Sequence, residues 1–148
     1  MYKRILIATD GSELARKGLE HGLSLARNIG SEVLIITVSE PWMPGFGDAL
    51  AWNVGSNMVD DYRKTNEDAA RKILEEAATM AIEAGVTHRI QHVPDRYPAE
   101  AIIETAEAEN SDLIVMASHG RRGLGRLLLG SQTNAVLPQS KIPVLVIR

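Results

Sequence analysis

Apolar residues gather in five short runs separated by longer amphipathic stretches. The runs are Arg4–Thr9, Glu32–Val38, Val86–Val93, Asp112–Ala117 and Pro143–Ile147. Four of them are almost continuous in Ile, Leu and Val, which is typical of parallel strands covered on both faces. The third alternates instead, with Val86, His88, Ile90 and His92 on one side. Alternation predicts a strand with one solvated face, and we therefore expect it at an edge of the sheet.

Helical periodicity fills the intervals between the runs. A first helix is predicted from about Glu13 to Asn28, with Ser12 as its N-cap and Gly30 as its stop. A second is predicted from about Met58 to Ala84, a third from Pro98, and a short fourth after Ser131. Strict alternation of strands and helices predicts one α/β domain over residues 1–148, built on a doubly wound five-stranded parallel sheet with helices on both faces.

Charge and composition exclude several classes of protein. The chain carries 16 Lys and Arg against 19 Asp and Glu, a net charge of −3, which is unlike the basic footprint of a nucleic-acid binder. It has no Cys, so disulfide frameworks and thiolate zinc sites are excluded. The apolar run near the N-terminus is too short for a signal peptide, and no run approaches the roughly 20 residues of a membrane span. We expect a soluble cytoplasmic protein without membrane insertion.

One segment fits neither a helix nor a strand. Pro41–Asn57 contains both Trp residues and the only Phe of the chain. Long loops in compact domains are often functional, so this loop is predicted to cover part of a site. A mobile surface insertion explains the same composition equally well.

The richest chemistry lies at the end of the fourth run. The stretch from Ala117 to Ser131 holds four Gly and three Arg and leads into the last predicted helix. Glycine allows backbone N–H groups to approach a ligand, and a helix N-terminus adds donors and partial positive charge, so the stretch favours phosphate. It is not a Walker A loop, because the Lys before Ser131 is absent, and Leu128 breaks the dinucleotide fingerprint. A flexible connection with helix caps remains an equal explanation of the glycines alone.

Topology adds a second feature to this stretch. In open parallel sheets, ligands bind beyond the carboxyl ends of the strands where the strand order reverses. A sheet that winds both ways from its first strand places Asp10 and the Gly-rich loop at the same crevice. The Asp10 carboxylate is then suited to a ribose hydroxyl or a base amine, or to capping the helix that follows.

These residues resemble the universal stress protein family. Its pattern G-x2-G-x9-G-[ST] reads Ala117-x2-Gly120-x9-Gly130-Ser131 here, so three of four marked positions match. The start (KRILIATDGS), the stretch Pro98–Ile102, the run DLIVM and the ending IPVLV are also similar to that family. The resemblance spans nearly the whole chain except Pro41–Asn57. It implies the strand order 3-2-1-4-5 of the adenine nucleotide alpha hydrolase-like fold.

The resemblance also implies a ligand, which is ATP accompanied by Mg²⁺, with no metal ligands from protein side chains. Asp10 matches the acid near the adenosine, the Val38 backbone matches the contact with adenine, and Gly120, Gly130 and Ser131 match the phosphate positions. The full implied nucleotide site is Ala8, Thr9, Asp10, Val38, Ala117, His119, Gly120, Arg121, Gly130, Ser131, Gln132 and Thr133. The family further implies a homodimer through the last strand, Pro143–Arg148.

Ala117 departs from the pattern, since the family has Gly there. The change is harmless if the position needs only a β conformation, and it weakens binding if the backbone must approach the ribose. His119 is the one candidate general base in the loop, and a polar wall or loop brace is its expected role. We therefore expect at most slow ATP hydrolysis. The alternatives are a dimeric interaction module without nucleotide and, less favoured by the short chain, an adenylating enzyme.

Overall fold

The computed structural model describes residues 1–43, 56–120 and 129–148, in which strands and helices alternate. The strands are β1 (Arg4–Ala8), β2 (Glu32–Val38), β3 (His88–Val93), β4 (Leu113–Ala117) and β5 (Val144–Ile147). The helices are α1 (Glu13–Ile29), α2 (Ser56–Glu83), α3 (Pro98–Ala108) and α4 (Ser131–Gln139). The order of elements is the one that the apolar pattern predicts.

Two boundaries differ by two residues from the sequence prediction, and the others agree within one residue. β3 begins at His88 rather than at Val86, because Val86 closes the turn after α2 by donating its N–H to the Ala81 carbonyl at 3.0 Å. α2 begins at Ser56, two residues before the predicted start, so the end of the predicted Pro41–Asn57 loop is helical. Most of that loop, residues 44–55, lies outside the described part of the chain. Its predicted role in covering part of a site therefore stays a prediction.

Local signals set the ends of α1 as predicted. The Ser12 hydroxyl accepts a hydrogen bond from the Ala15 N–H at 3.2 Å, which satisfies one of the free donors of the first turn. Gly30 closes the helix in the left-handed region at φ 69°, where a side chain would be strained. These caps fix where the chain leaves β1 and where it enters β2.

The sheet is entirely parallel and has the order β3-β2-β1-β4-β5. β3 is an edge strand, as its alternating pattern predicts, and Ile90 on it is 43% exposed. β1 lies at the centre, with Ile7 opposite Ile35 of β2 and opposite Val115 of β4. The strand order reverses between β1 and β4, so their carboxyl ends form the topological switch point of a doubly wound sheet.

Two apolar cores cover the two faces of the sheet. One packs α1 and α2 against Ile5, Ile7, Val33, Ile35 and Val115. The other packs α3 and α4 against Leu6, Leu34, Ile36, Ile114 and Met116. Because successive residues of each strand enter opposite cores, the strands carry the nearly continuous apolar runs seen in the sequence. Within residues 1–43, 56–120 and 129–148, no helix combines the length and apolar character needed to cross a membrane.

Candidate functional site

The site forms where β1 and β4 end side by side. After β1, the Thr9 N–H donates to the Ile36 carbonyl of β2 at 3.0 Å, and this bond holds the chain at the sheet edge for one more residue. After β4, the Ser118 N–H donates to the Ile147 carbonyl of β5 at 2.7 Å. Asp10 and His119 are thus the first residues after these backbone hydrogen bonds, one on each side of the switch point.

A tight turn orients Asp10. One carboxylate oxygen, Oδ1, accepts the Ser12 N–H at 2.9 Å, and the Thr9 hydroxyl oxygen accepts the Gly11 N–H at 3.3 Å. Gly11 has a φ of 76°, a value that favours glycine. Asp10 therefore acts within the cap that starts α1, and its second oxygen, Oδ2, points across the switch point toward the end of β4.

Gly120 lies directly against that second oxygen. A Cβ atom at Gly120 would stand 2.7 Å from Asp10 Oδ2, which is closer than carbon and oxygen atoms pack without a bond between them. The conflict involves no positive φ, so glycine is favoured here by the approach of the Asp10 carboxylate, which would have to shift for any side chain, and not by the backbone conformation. Residues separated by more than a hundred positions are brought into contact by the sheet order.

The Gly-rich loop is closed at its base, which we call the loop neck and define as Ala117, Ser118, Gly130 and Thr133. The Gly130 N–H donates to the Ser118 carbonyl at 2.8 Å. The Thr133 hydroxyl lies 3.1 Å from each of the Ala117 and Ser118 carbonyl oxygens. A Cβ at Gly130 would stand 2.8 Å from the same Ser118 oxygen, so this end of the loop also requires glycine.

α4 begins at the loop neck without a side-chain cap. Gly130 is its N-cap residue in an extended conformation, no side chain caps it, and its first turn contains no acidic residue. The partial positive charge of this helix end is therefore not neutralised by its own first turn. Gln132 faces another element, since its Oε1 accepts the Ala99 N–H of the first turn of α3 at 3.2 Å.

Val38 lies one strand away, at the carboxyl end of β2. The next residue, Ser39, is held on three sides: its N–H donates to the Val93 carbonyl at 3.0 Å, its carbonyl accepts the Arg96 N–H at 3.1 Å, and its hydroxyl lies 2.8 Å from His92 Nε2. Burial lowers the pKa of His92 below its usual value, while Glu67 and Asp95 act in the opposite direction. His92 thus favours its neutral form, and the backbone beyond Val38 has a defined course along the site.

The remaining predicted residues fall as follows. Ala117 continues β4 opposite Ile147 of β5 and is 9% exposed, so this position takes the β conformation that the sequence suggested. His119 is half-buried, with its Nδ1 3.0 Å from the Ser118 hydroxyl. Arg121 lies outside the described residues. The structure brings together at this edge Ala8, Thr9, Asp10, Ala117, His119, Gly120, Gly130, Ser131, Gln132 and Thr133.

Sequence reasoning gave no role to Ser118, although its carbonyl accepts from both Gly130 and Thr133 and its side chain is 2% exposed. A backbone carbonyl leaves no mark on residue type, so the sequence carries no signal for this role. The partnership of Gln132 with Ala99 is likewise invisible without the packing of α4 on α3.

A second group of polar residues lies at the opposite edge of the sheet. A cavity of about 230 Å³ opens at the opposite, amino-terminal edge of the sheet, lined in part by Arg4, Glu32, Arg89 and Glu109, with Arg89 and Glu109 paired at 2.6 Å. The Arg4 side chain donates instead to the Asn110 carbonyl, and the loop neck does not line this cavity. In the described ranges, no group of three or more His, Cys, Asp or Glu side chains is placed to hold a metal ion.

Comparison with known proteins finds relatives that match nearly the whole chain. The model of the universal stress protein family matches residues 1–148. The universal stress protein MJ0531 of Methanocaldococcus jannaschii is 33% identical, over 100% of this chain and 83% of that protein. The solved structure of MJ0577, a universal stress protein of the same organism, superimposes with a TM-score of 0.80 at 32% identity, covering 99% of this chain and 96% of that one.

A third relative was solved with a ligand. It is a universal stress protein in complex with cAMP, 26% identical, with a TM-score of 0.66 and coverage of 99% of this chain and 97% of that one. The family match and these likenesses extend over the same five-stranded sheet and the same switch point. The chain belongs to the universal stress protein family.

Proposed function

We propose that this protein is a cytoplasmic, ATP-binding universal stress protein with a regulatory role in a stress response. The observation that carries the proposal is the contact of the Asp10 carboxylate with Gly120 across the switch point, where a Cβ would stand 2.7 Å from Oδ2. It places an acid suited to ribose beside a backbone suited to phosphate, in the position where open parallel sheets bind ligands.

Each part of the nucleotide has a matching surface in this arrangement. Asp10 Oδ2 accepts a ribose hydroxyl, and the backbone beyond Val38, held by His92 and Arg96, borders the adenine. The N–H groups at Gly120 and at the uncapped start of α4, with the Ser131 hydroxyl, receive the phosphates. The relative solved with cAMP supports an adenine nucleotide as the ligand class.

The proposal also covers how Mg²⁺ is held and how fast the nucleotide is hydrolysed. Mg²⁺ is expected to arrive with the nucleotide and to be held mainly by its phosphates. His119 places its Nδ1 against the Ser118 hydroxyl, which makes it a brace of the loop in this proposal. Because the Walker-type Lys is absent before Ser131 and His119 is the one candidate general base in the loop, we expect at most slow hydrolysis, and the bound nucleotide acts as a signal.

The experiment identifies the ligand directly. Purified protein is denatured, the released nucleotides are separated by chromatography, and the stripped protein is titrated calorimetrically with ATP, ADP, AMP and GTP in the presence and absence of Mg²⁺. We expect released ATP, or saturable ATP binding with about one site per chain. An empty protein that ignores all four nucleotides would overturn the proposal and favour the interaction module.

A second property is favoured by the sheet edge. Leu145 of β5 is 36% exposed, and β5 pairs with β4 on one side only. A bare apolar edge strand invites pairing with another chain. We propose that Pro143–Arg148 forms a homodimer interface and that an unidentified protein partner reads the nucleotide state of the dimer.

A further inference from the structure

The Thr133 side chain, which the family resemblance includes in the nucleotide site, has contacts inside the protein that the resemblance does not assign. Thr133 is 1% exposed and lies in the first turn of α4. Its hydroxyl has a single proton, and two carbonyl oxygens, those of Ala117 and Ser118, lie 3.1 Å away. The Thr133 hydroxyl therefore donates its hydrogen bond to backbone carbonyls of the protein, those of the last residue of β4 and the first residue beyond it.

This hydrogen bond joins the two ends of the Gly-rich loop. Ser118 precedes Gly120, and Thr133 follows Gly130, so the loop neck sets the distance between the two glycine ends. The Gly130 N–H supports the same closure by donating to the Ser118 carbonyl at 2.8 Å. A helix start usually relies on an N-cap side chain, and α4 has none. Thr133 secures the start of α4 from the side that faces β4.

We propose that Thr133 is a positioning residue that holds the loop neck closed and so presets the phosphate-binding part of the site, and that it makes no contact with the nucleotide itself. The proposal deepens the function proposed above and rests on it. Pre-set donors bind more tightly because the cost of ordering the loop is met before the ligand arrives. Loss of the hydroxyl should therefore affect phosphate recognition more than nucleoside recognition.

Two variants and one control separate the possibilities. Thr133→Val keeps the shape and removes the hydroxyl, whereas Thr133→Ser keeps the hydroxyl. Ser31→Ala removes a comparable buried hydroxyl, one that donates to the Tyr2 carbonyl at 2.5 Å near the opposite edge of the sheet. If Thr133→Val does not fold, Thr133→Ala serves instead, because alanine removes the hydroxyl without placing a methyl group against two carbonyls.

The first measurement compares ATP with adenosine by calorimetry. We expect Thr133→Val to weaken ATP binding about tenfold and adenosine binding less than about twofold, with Thr133→Ser and Ser31→Ala near wild type. Unchanged ATP affinity in Thr133→Val would overturn the inference. An equal loss for ATP and adenosine would also overturn it, since it would indicate general loosening of the fold.

The second measurement is amide hydrogen exchange in nucleotide-free protein. We expect Thr133→Val, but not Ser31→Ala, to speed exchange at Ser118–Gly120 and at Gly130–Ser131. Unchanged exchange there, combined with weaker ATP binding, would mean that Thr133 contacts the ligand, contrary to the inference. A wild-type protein that binds no nucleotide overturns the proposed function, while exchange in the free protein still decides whether Thr133 closes the neck.

Discussion

A single oxygen atom, Asp10 Oδ2, explains why glycine is favoured at position 120. Its backbone is not in the left-handed region, and the conflict with a side chain comes from Asp10 Oδ2 at 2.7 Å from the Cβ position. Gly120 has no side chain, and the Asp10 carboxylate occupies the space next to it. A methyl group at 120 would push the carboxylate away from the place where we propose that it meets ribose.

A double-mutant cycle tests this coupling. Gly120→Ala is expected to cost roughly 1–2 kcal/mol of unfolding free energy and to weaken ATP binding, because Asp10 must turn away. In an Asp10→Ala background the same change should cost much less, since the oxygen is gone. Urea denaturation of the four proteins gives the coupling energy, and equal costs of Gly120→Ala in both backgrounds would disprove the contact.

Among the elements, α1 is brought close to the sheet by two glycines one turn apart. A Cβ at Gly18 would find its nearest neighbour, Ala117 N, at an ordinary 3.6 Å. A Cβ at Gly22 would stand 2.5 Å from Ile7 Cδ1, and Ile7 is completely buried. The close approach at Gly22 is what allows α1 to cover both β1 and β4 near the switch point.

The two positions therefore predict opposite effects of the same substitution. Gly18→Ala should stabilise the protein by about 0.5–1 kcal/mol, because alanine is the better helix former and finds room. Gly22→Ala should destabilise it by roughly 1–2 kcal/mol, since the overpacking of Ile7 outweighs the gain in helix propensity. Denaturant midpoints at constant m-value measure both, and a stabilised Gly22→Ala would show that Ile7 repacks freely.

At the scale of the whole molecule, the two edges of the sheet differ in how they are protected. β3 carries the polar and charged side chains of His88, Arg89 and Gln91, which discourage pairing with another strand. β5 consists of Val144, Leu145, Val146 and Ile147 and has no such protection of its own. The composition of the two edges favours association through β5.

Leu145→Asp tests the proposed dimer with little damage to the core, because Leu145 is already 36% exposed. We expect the wild type to sediment as a dimer and Leu145→Asp as a monomer, since a charge buried at the interface would be unpaired. Ile82→Asp, at a 69% exposed position on α2, is the matched control and should remain dimeric. Light scattering that finds Leu145→Asp still dimeric would place the interface elsewhere.

The sequence alone determined the elements and the doubly wound parallel class of the sheet, and the strand order 3-2-1-4-5 came from the family resemblance. The caps at Ser12 and Gly30 and the apolar runs are local signals, and a strictly alternating chain leaves few topologies once crossovers must be right-handed. The edge position of β3 followed from its alternating pattern. The start of β3 was misplaced because Val86, apolar and buried, reads as strand while its N–H closes a turn.

Only the tertiary structure decided what each site residue touches. Three contacts depend on the register and packing of elements far apart in the chain. They are the approach of Asp10 Oδ2 to Gly120, the hydrogen bond of Thr133 to the end of β4 and the hydrogen bond of Gln132 to α3. Residue type indicates that a hydroxyl or an amide can donate or accept, but the partner is chosen by distances of a few tenths of an ångström. The sequence therefore indicated which residues gather at the switch point, and the fold decided which partner each of them contacts.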